Sequence, residues 1–423
     1  MSSPRVRRAL AAAGGLLVVG AIVAAVVLLT ASGAHRRAHA VVAKPPPVST
    51  APRPSPPPAP PADDPWPFYG YNAARTRLFP NAQRLDPPFR RGWTFRDYAL
   101  LEFTPAIYDN VMYFEDYYAH AKAISTLTGR QIWQRGLGTL AAASPGLDLR
   151  HRLVFFVVLS TIPGARLPGS GRVLALSMRT GRVVWSHGLA AGSESSPLVV
   201  GDSVYLGDQG GTVYSYRATD GHLNWTFHAS GSVKGGLAYA GGWLYFGDYG
   251  GHVYALDAAS GREMWSAAEG ETFYSTPAVA FGRVYIGNTN GSLYAFSAAT
   301  GRLDWSASTG GYVYASPAVG NIPGLGLTVY EGSYDGYLRA YDALTGAVRW
   351  THDAGGAING SATIIGNVVY YADLRLGGTV GLDRRTGRVV FRFDDGRFTP
   401  VIADGRAVYL IGYSTIYELL PRG

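Results

Sequence analysis

Polar side chains recur at one point of a repeated pattern, three residues before a position that is proline in six of eight copies. They are Glu102, Glu194, Lys234, Tyr274, Tyr314, Asn359 and Arg397, and the remaining copy has Ala142. If the fold arranges these positions in a ring, two carboxylates, two cations, two phenols and an amide converge on one space. Converging groups of this kind hold a small anionic or hydroxylated ligand.

The same ring also fits a second interpretation, in which polar side chains at a wet channel mouth meet water and one another. Lys234 is notable because lysine is rare in this part of the chain: after residue 64 there is one other lysine, Lys122. We therefore assign these seven positions to ligand or partner binding at a central channel mouth. We assign no catalytic residue and no metal ligand.

Sequence motifs of other chemistries do not occur. There is no Gly-x-Ser-x-Gly elbow, phosphate-binding loop, dinucleotide fingerprint or His-Glu-x-x-His. Cysteine is absent, which excludes disulfides, thiolate metal sites and a lipid-modified N-terminal cysteine. The net charge of +8 arises mostly before residue 65, and the rest of the chain has 30 basic and 27 acidic residues. That balance excludes the concentrated positive field that nucleic acids require.

The elements that must position these residues recur on a nearly fixed pitch. Tryptophans lie at intervals of 40, 52, 40, 40, 40 and 45 residues, and a phenylalanine follows after 41 more. They are Trp93, Trp133, Trp185, Trp225, Trp265, Trp305, Trp350 and Phe391. Repeats of about 40–50 residues with four strands each are typical of propellers. We expect each tryptophan to lie on the outermost strand of a blade and to pack against the neighbouring blade.

The pattern inside each repeat predicts strands. Residues 237–248 and 252–258 alternate between apolar and polar positions, as half-buried strands do. Asp-Gly and Asn-Gly pairs between the middle strands favour hairpin turns, because both residues tolerate a positive φ. No apolar stripe of helical length occurs after residue 65. The sequence therefore predicts an all-β domain over residues 66–423.

Counting the repeats gives eight blades, with inner strands that begin near residues 104, 144, 196, 236, 276, 316, 361 and 399. The last blade lacks its tryptophan strand, whereas residues 89–96 have no preceding strands of their own. We expect this N-terminal strand to complete the C-terminal blade and to close the ring, which removes exposed sheet edges.

The N-terminal region differs in composition from the repeats. We assign residues 1–9 to a cytoplasmic tail, 10–31 to a transmembrane signal anchor and 32–65 to a disordered proline-rich linker. About 20 apolar residues span a bilayer, and the preceding arginines favour retention inside. A cleaved signal peptide is the alternative, since Ala38-His39-Ala40 has the form of a cleavage site.

The motif Ala-x-Asp-Ala-x-(Ser/Thr)-Gly-Arg-x-x-Trp at residues 255–265, together with residues 66–76, resembles the PQQ-like (pyrroloquinoline-quinone repeat) β-propeller superfamily. The resemblance covers residues 66–423 and is nearest in architecture to compact BamB-like non-catalytic propellers. It implies a membrane-anchored extracytoplasmic propeller that acts as a binding or scaffolding module in the cell envelope. Implied partners are envelope proteins or a small polar ligand, for a single-pass membrane protein with a monomeric propeller.

The superfamily also contains quinone-dependent dehydrogenases, which gives an alternative function. In that case the chain would oxidise alcohols or sugars with PQQ and calcium, with Lys234 and Asn359 on the cofactor and a ring carboxylate as base. Such enzymes typically have long insertions and a vicinal cysteine pair, whereas this chain has compact blades and no cysteine. We therefore favour a propeller without cofactor or enzymatic activity and keep the dehydrogenase with PQQ and calcium as the alternative.

Overall fold

The computed structural model describes residues 64–80, 84–160, 171–375, 377–399 and 401–422. The predicted tail, the predicted anchor and the linker up to residue 63 lie outside these residues. The described residues all belong to one compact unit. Within the described ranges, no helix has the length and apolarity needed to cross a membrane.

The described residues form strands joined by turns. In chain order the first strands are β1 (Leu78–Phe79), β2 (Phe89–Arg96), β3 (Ala106–Tyr108), β4 (Val111–Glu115), β5 (His120–Ser125), β6 (Gln131–Gly136), β7 (Leu140–Ala141), β8 (Gly146–Asp148), β9 (Leu153–Ser160), β10 (Arg172–Ser177), β11 (Val183–Gly188), β12 (Leu198–Val200), β13 (Ser203–Gly207), β14 (Thr212–Arg217), β15 (Leu223–His228), β16 (Ala238–Ala240) and β17 (Trp243–Gly247). The remaining strands are β18 (His252–Asp257), β19 (Glu263–Ala268), β20 (Ala278–Ala280), β21 (Arg283–Gly287), β22 (Ser292–Ser297), β23 (Leu303–Ser308), β24 (Ala318–Ile322), β25 (Gly326–Gly332), β26 (Tyr337–Asp342), β27 (Val348–Asp353), β28 (Thr363–Ile365), β29 (Val368–Asp373), β30 (Gly378–Asp383), β31 (Val389–Phe393), β32 (Val401–Ala403), β33 (Val408–Ile411) and β34 (Thr415–Pro421).

These strands make eight sheets, as the sequence predicted. Blade 1 is β3–β6, and blade 2 is β8–β11 with β7 added on β9. Blades 3 to 7 are β12–β15, β16–β19, β20–β23, β24–β27 and β28–β31, and β1 pairs in parallel with β28. Blade 8 is β32–β34 followed by β2. The prediction of an all-β, eight-bladed propeller is therefore confirmed for the described residues.

Burial along the strands follows from the stacking of the blades. Middle strands lie between two neighbouring sheets, so they are apolar on both faces, and β9 is buried throughout. Outermost strands are in contact with solvent, and β19 exposes Glu263, Ser266 and Ala268 while it buries Trp265. Each blade therefore shares its hydrophobic core with its neighbours.

The tryptophans lie on the outermost strands and link the blades, as predicted. Trp265 Nε1 donates a hydrogen bond of 3.0 Å to the carbonyl oxygen of Ala298 in the next blade. Gly301 faces the same ring, and a Cβ added there would lie 2.5 Å from it. The same bond recurs at Trp93, Trp133, Trp185, Trp225, Trp305 and Trp350. These tryptophans are structural residues.

The two ends of the propeller meet in one sheet. β2 pairs antiparallel with β34, so that Phe89 lies opposite Pro421 and Thr94 opposite Tyr417. Trp93 then donates to the carbonyl oxygen of Thr126 in blade 1 at 2.7 Å. The predicted closure of the last blade by the N-terminal strand is confirmed.

A segment that precedes the first blade runs around the inside of the ring. We call residues 66–79 the belt. Its backbone bonds to inner strands of six blades, through Ile107, Leu147, Tyr239, Val279, Val319 and Ile364. The side chain of Arg75 contacts a further blade, blade 3, because its Nη2 donates a hydrogen bond of 3.2 Å to the carbonyl oxygen of Ser196. The belt therefore joins seven blades at the centre of the molecule.

Candidate functional site

A cavity lies on the central channel, at the ends of the loops that precede the inner strands. Its volume is about 120 Å³, enough for a small cluster of water molecules or a small ligand. Six of the seven predicted site residues line it, namely Glu102, Glu194, Lys234, Tyr274, Tyr314 and Asn359. Ala142, at the eighth copy of the pattern, lines it as well. The repeat thus brings side chains from seven blades to one space.

Arg397, the seventh predicted residue, is not part of the described cavity lining. Its guanidinium lies over the ring of Tyr413, with the carbon atom Cζ 5.7 Å from the ring centroid. The blade 8 copy of the pattern therefore contributes Phe398 and Thr399 to the cavity in place of the arginine.

A layer of hydroxyl groups below the ring holds neighbouring loops in register. Ser316 Oγ accepts a hydrogen bond from the amide of Thr276 at 3.0 Å, and Ser361 Oγ accepts one from the amide of Ser316 at 2.7 Å. Thr399 Oγ1 donates to the carbonyl oxygen of Glu102 at 2.8 Å. At most of these positions the hydroxyl of a serine or threonine bonds to the loop of a neighbouring blade, which explains the recurrence of serine and threonine there; blade 4 has Gly236 instead.

Glu194 is the centre of a charged network at the mouth. Its carboxylate lies 3.2 Å from Lys234 Nζ and accepts hydrogen bonds from Gln209 Nε2 at 2.6 Å and from the hydroxyl of Tyr274 at 3.1 Å. Lys234 Nζ also lies 4.9 Å from the ring centroid of Tyr249. The negative charge of Glu194, together with burial, raises the pKa of Tyr274 well above its usual range. Lys234 and Glu194 therefore neutralise one another.

Glu102 lies in the same cavity in a different environment. Burial, and secondarily the charge of Glu194, raise the pKa of its carboxyl group to about 7. A carboxyl group with this pKa exchanges its proton near neutral pH, in contrast to an exposed glutamate. Glu102 is thus the lining residue whose charge changes most readily around neutrality.

Five tyrosines form an arc along one side of the mouth. We call Tyr249, Tyr274, Tyr312, Tyr314 and Tyr334 the tyrosine arc. The ring centroids of Tyr274 and Tyr314 are 5.2 Å apart with an interplanar angle of 88°, and those of Tyr314 and Tyr334 are 5.0 Å apart at 70°. Edge-to-face contacts of this kind fix the rings. Burial also raises the pKa of Tyr334 to about 12, so its hydroxyl is neutral.

The belt supplies the floor of the cavity. The hydroxyl of Tyr69 lies 3.1 Å from Ser316 Oγ and 2.9 Å from Ser361 Oγ, within the hydroxyl layer. Arg77 lines the cavity beside it, with its Cζ 3.9 Å from the ring centroid of Tyr69. The side chain of Arg77 is buried, and burial lowers the pKa of its guanidinium.

Sequence reasoning missed the floor and the outer support of this site. Tyr69 and Arg77 belong to no repeat, so no periodicity marks them. Gln209, Tyr249 and Tyr334 directly follow the first residue of the turn between the second and third strands of their blades. Aligning the repeats on that turn as well as on the Ser/Thr-Pro position would have found these three.

The donor groups of the cavity do not match a calcium-bound quinone. Calcium takes six to eight oxygen ligands, mostly carboxylates and carbonyls. The lining offers the carboxyl groups of Glu102 and Glu194, and Glu194 is already engaged by Lys234, Gln209 and Tyr274. In the part of the chain that the structure describes, no three His, Cys, Asp or Glu side chains cluster as metal ligands would.

Known proteins share parts of this sequence. Over 197 residues the chain is 23% identical to tetrathionate hydrolase of Acidithiobacillus ferrooxidans. This stretch covers 34% of this chain and 40% of that protein. Over 139 residues the chain is 28% identical to the quinoprotein alcohol dehydrogenase PedH of Pseudomonas putida. This stretch covers 29% of this chain and 22% of that enzyme. The chain therefore matches less than half of the length of either relative.

Solved structures and family models agree on the fold. BamB from Moraxella catarrhalis superposes with a TM-score of 0.65 at 18% identity, over 79% of this chain and 98% of that one. A family model described as outer membrane protein assembly factor BamB matches residues 92–209, 118–235 and 209–419. These overlapping matches extend from residue 92 to residue 419, well over half of the chain. The chain belongs to this family of PQQ-like β-propellers, described as outer membrane protein assembly factor BamB.

Proposed function

We propose that this chain is a membrane-anchored propeller that binds and scaffolds protein partners on the extracytoplasmic side of the cell envelope. Membership of a family described as an assembly factor supports a scaffolding role. The apolar run between residues 10 and 30 supports the anchor, and the proline-rich stretch that follows suits a spacer between membrane and propeller.

The observation that carries this proposal is a group of exposed tyrosines on one face. Tyr98 is fully exposed, and the side chains of Tyr118 and Tyr413 are 55% and 41% exposed. Their loops are joined, since the amide of Leu101 donates to the carbonyl oxygen of Tyr413 and the amide of Tyr117 to that of Leu100. Glu102, which lines the cavity, lies in the same loop as Tyr98. Tyrosine is enriched where proteins bind other proteins.

A pull-down with the tagged full chain from its own cell envelope tests the proposal. Replacing Tyr98 and Tyr118 by serine should abolish the recovery of a specific partner, because exposed aromatic anchors supply much of the binding energy of an interface. The matched control replaces Val183 and Val184, about half exposed on the outermost strand of blade 2, by serine and should leave recovery intact. Equal recovery with both variants would refute the proposed surface.

The quinone-dependent dehydrogenase is the alternative function, and PedH and the shared fold favour it. The same preparation distinguishes the two. If the chain is a scaffold, PQQ with calcium causes no thermal shift and no dye-linked oxidation of alcohols or sugars. A clear thermal shift that is lost in Lys234→Ala would support the dehydrogenase instead.

A further inference from the structure

The two carboxyl groups that line the cavity have different partners, although the lining also contains two cations, Lys234 and Arg77. Lys234 lies 3.2 Å from Glu194, so this pair contributes no net charge to the mouth. Glu102 also lines the mouth, and within the described ranges its carboxyl group has neither an ion pair nor a hydrogen-bond donor. Arg77 is set apart at the floor, over the ring of Tyr69. The mouth therefore carries one carboxyl group that has no counter-ion.

The groups that face Glu102 suit a cation. Glu194 is the charge that acts on it most strongly, and Tyr274 and Tyr334 lie within electrostatic reach. These tyrosines are neutral, because burial and nearby carboxylates raise the pKa values of their hydroxyl groups. Aromatic faces attract cations, and neutral hydroxyls accept hydrogen bonds from them.

An ammonium group is already held in this way inside the protein. Lys234 Nζ lies 4.9 Å from the ring centroid of Tyr249 while it contacts the carboxylate of Glu194. Tyr274 and Glu102 offer the same two kinds of group, an aromatic ring and a carboxyl group, in the same lining, and the charge of Glu102 acts on Tyr274.

We propose that the cavity binds a small organic ammonium ion, with Glu102 as its counter-ion and Tyr274 and Tyr314 of the tyrosine arc as its wall. The sequence led us to expect an anionic or hydroxylated ligand, whereas the structure shows Lys234 paired with Glu194. The proposal refines the binding role given above and rests on it. Its test uses purified protein and small molecules, so it succeeds or fails independently of the pull-down.

Three probes of similar length separate charge from shape. The full chain, purified in a non-ionic detergent, is titrated by calorimetry with butylammonium, butan-1-ol and butyrate. We expect butylammonium alone to bind. With a pKa of about 7, Glu102 is about one-tenth ionised at pH 6 and about nine-tenths ionised at pH 8, so the affinity should rise about tenfold over that range. Equal binding of butan-1-ol, binding of butyrate, or no binding of butylammonium would overturn the proposal.

Two variants should change the affinity in opposite directions. Glu102→Gln keeps the shape of the side chain and removes its charge, so butylammonium binding should fall at least about tenfold and lose its pH dependence. Lys234→Met frees Glu194 and should strengthen binding severalfold. Glu263→Gln, the same change on the exposed outermost strand β19, is the control and should bind as the native chain does. Melting temperatures show whether each variant is folded, and a folded Glu102→Gln with native affinity would also overturn the proposal.

Discussion

At the scale of single residues, the arrangement at the mouth depends on which charges meet. The carboxylate of Glu194 contacts Lys234, Gln209 and Tyr274. Glu102 lies in the same lining, and burial raises the pKa of its carboxyl group to about 7. Two glutamates at equivalent positions of the repeat therefore have different chemistry. The difference arises because their neighbours are supplied by different blades.

The turn glycines are the single residues on which the blade contacts depend most directly. Gly301 has a φ of 70°, a conformation that side chains rarely adopt, and it faces the ring of Trp265. Gly301→Ala adds a Cβ 2.5 Å from that ring, so we expect a loss of about 2–4 kcal/mol in the free energy of unfolding. Urea denaturation monitored by tryptophan fluorescence measures the loss.

Gly188→Ala is the matched control for this prediction. Gly188 lies on the outermost strand β11, and an added Cβ would meet no atom within 4 Å. Its substitution should change the free energy of unfolding by less than about 0.5 kcal/mol. A similar effect at both glycines would show that packing against the tryptophan is not the cause.

At the scale of elements, the belt is the segment with the most unusual environment. It contributes two short strand contacts but bonds to inner strands all around the channel. Arg75 is buried in it and donates from Nε to the carbonyl oxygen of Leu237 at 2.8 Å and from Nη2 to that of Ser196 at 3.2 Å. A buried arginine is tolerated here because backbone carbonyls accept its hydrogen bonds.

Removal of that arginine should loosen the belt. We expect Arg75→Met to lower the free energy of unfolding by about 2–4 kcal/mol, since buried carbonyl groups of two blades lose their charged donor. In a domain of this size the melting temperature should fall by roughly 3–5 °C, because the shift per kcal/mol decreases as the entropy of unfolding grows with chain length. Arg130→Met, at an exposed turn of blade 1, is the control and should leave the melting temperature within about 2 °C. Equal melting temperatures for the two variants would contradict a structural role of the belt.

At the scale of the whole molecule, the ring is closed by one pairing of distant strands. β2 and β34 lie more than 300 residues apart in sequence and complete blade 8 together. Such a pairing forms only when the blades between them are in place, because closing a long loop costs entropy that local contacts must first offset. The stability of the propeller is therefore a property of the complete ring.

Truncation before β34 tests this closure. A chain that ends at residue 414 leaves the edge of β2 unpaired, and we expect loss of a single cooperative unfolding transition and aggregation. Calorimetry and size-exclusion chromatography measure the two effects. A chain that ends at residue 421 keeps the whole of β34 and should behave as the full chain does. A cooperative, monomeric propeller after the shorter truncation would show that closure is dispensable.

The sequence by itself determined the all-β class, eight blades, the docking tryptophans and the strand that closes the ring. These features recur in each repeat. Because every blade packs on its neighbours in the same way, the same residue types return at the same spacing, and the spacing indicates the fold. The register of the Ser/Thr-Pro loops also placed six of seven predicted side chains in one cavity. The same spacing predicted Arg397 in the cavity, but its side chain lies over the ring of Tyr413 instead.

Only the tertiary structure decided how the charges of the cavity pair and what forms its floor. The belt occurs once, so nothing in the sequence shows that Tyr69 and Arg77 reach the channel. The pairing of Lys234 with Glu194, which leaves Glu102 without a cation, depends on distances between side chains of different blades. The strength of an ion pair depends on the distance between the two charges and on their burial, so residue types and spacing indicate which charges are present but not which of them neutralise one another.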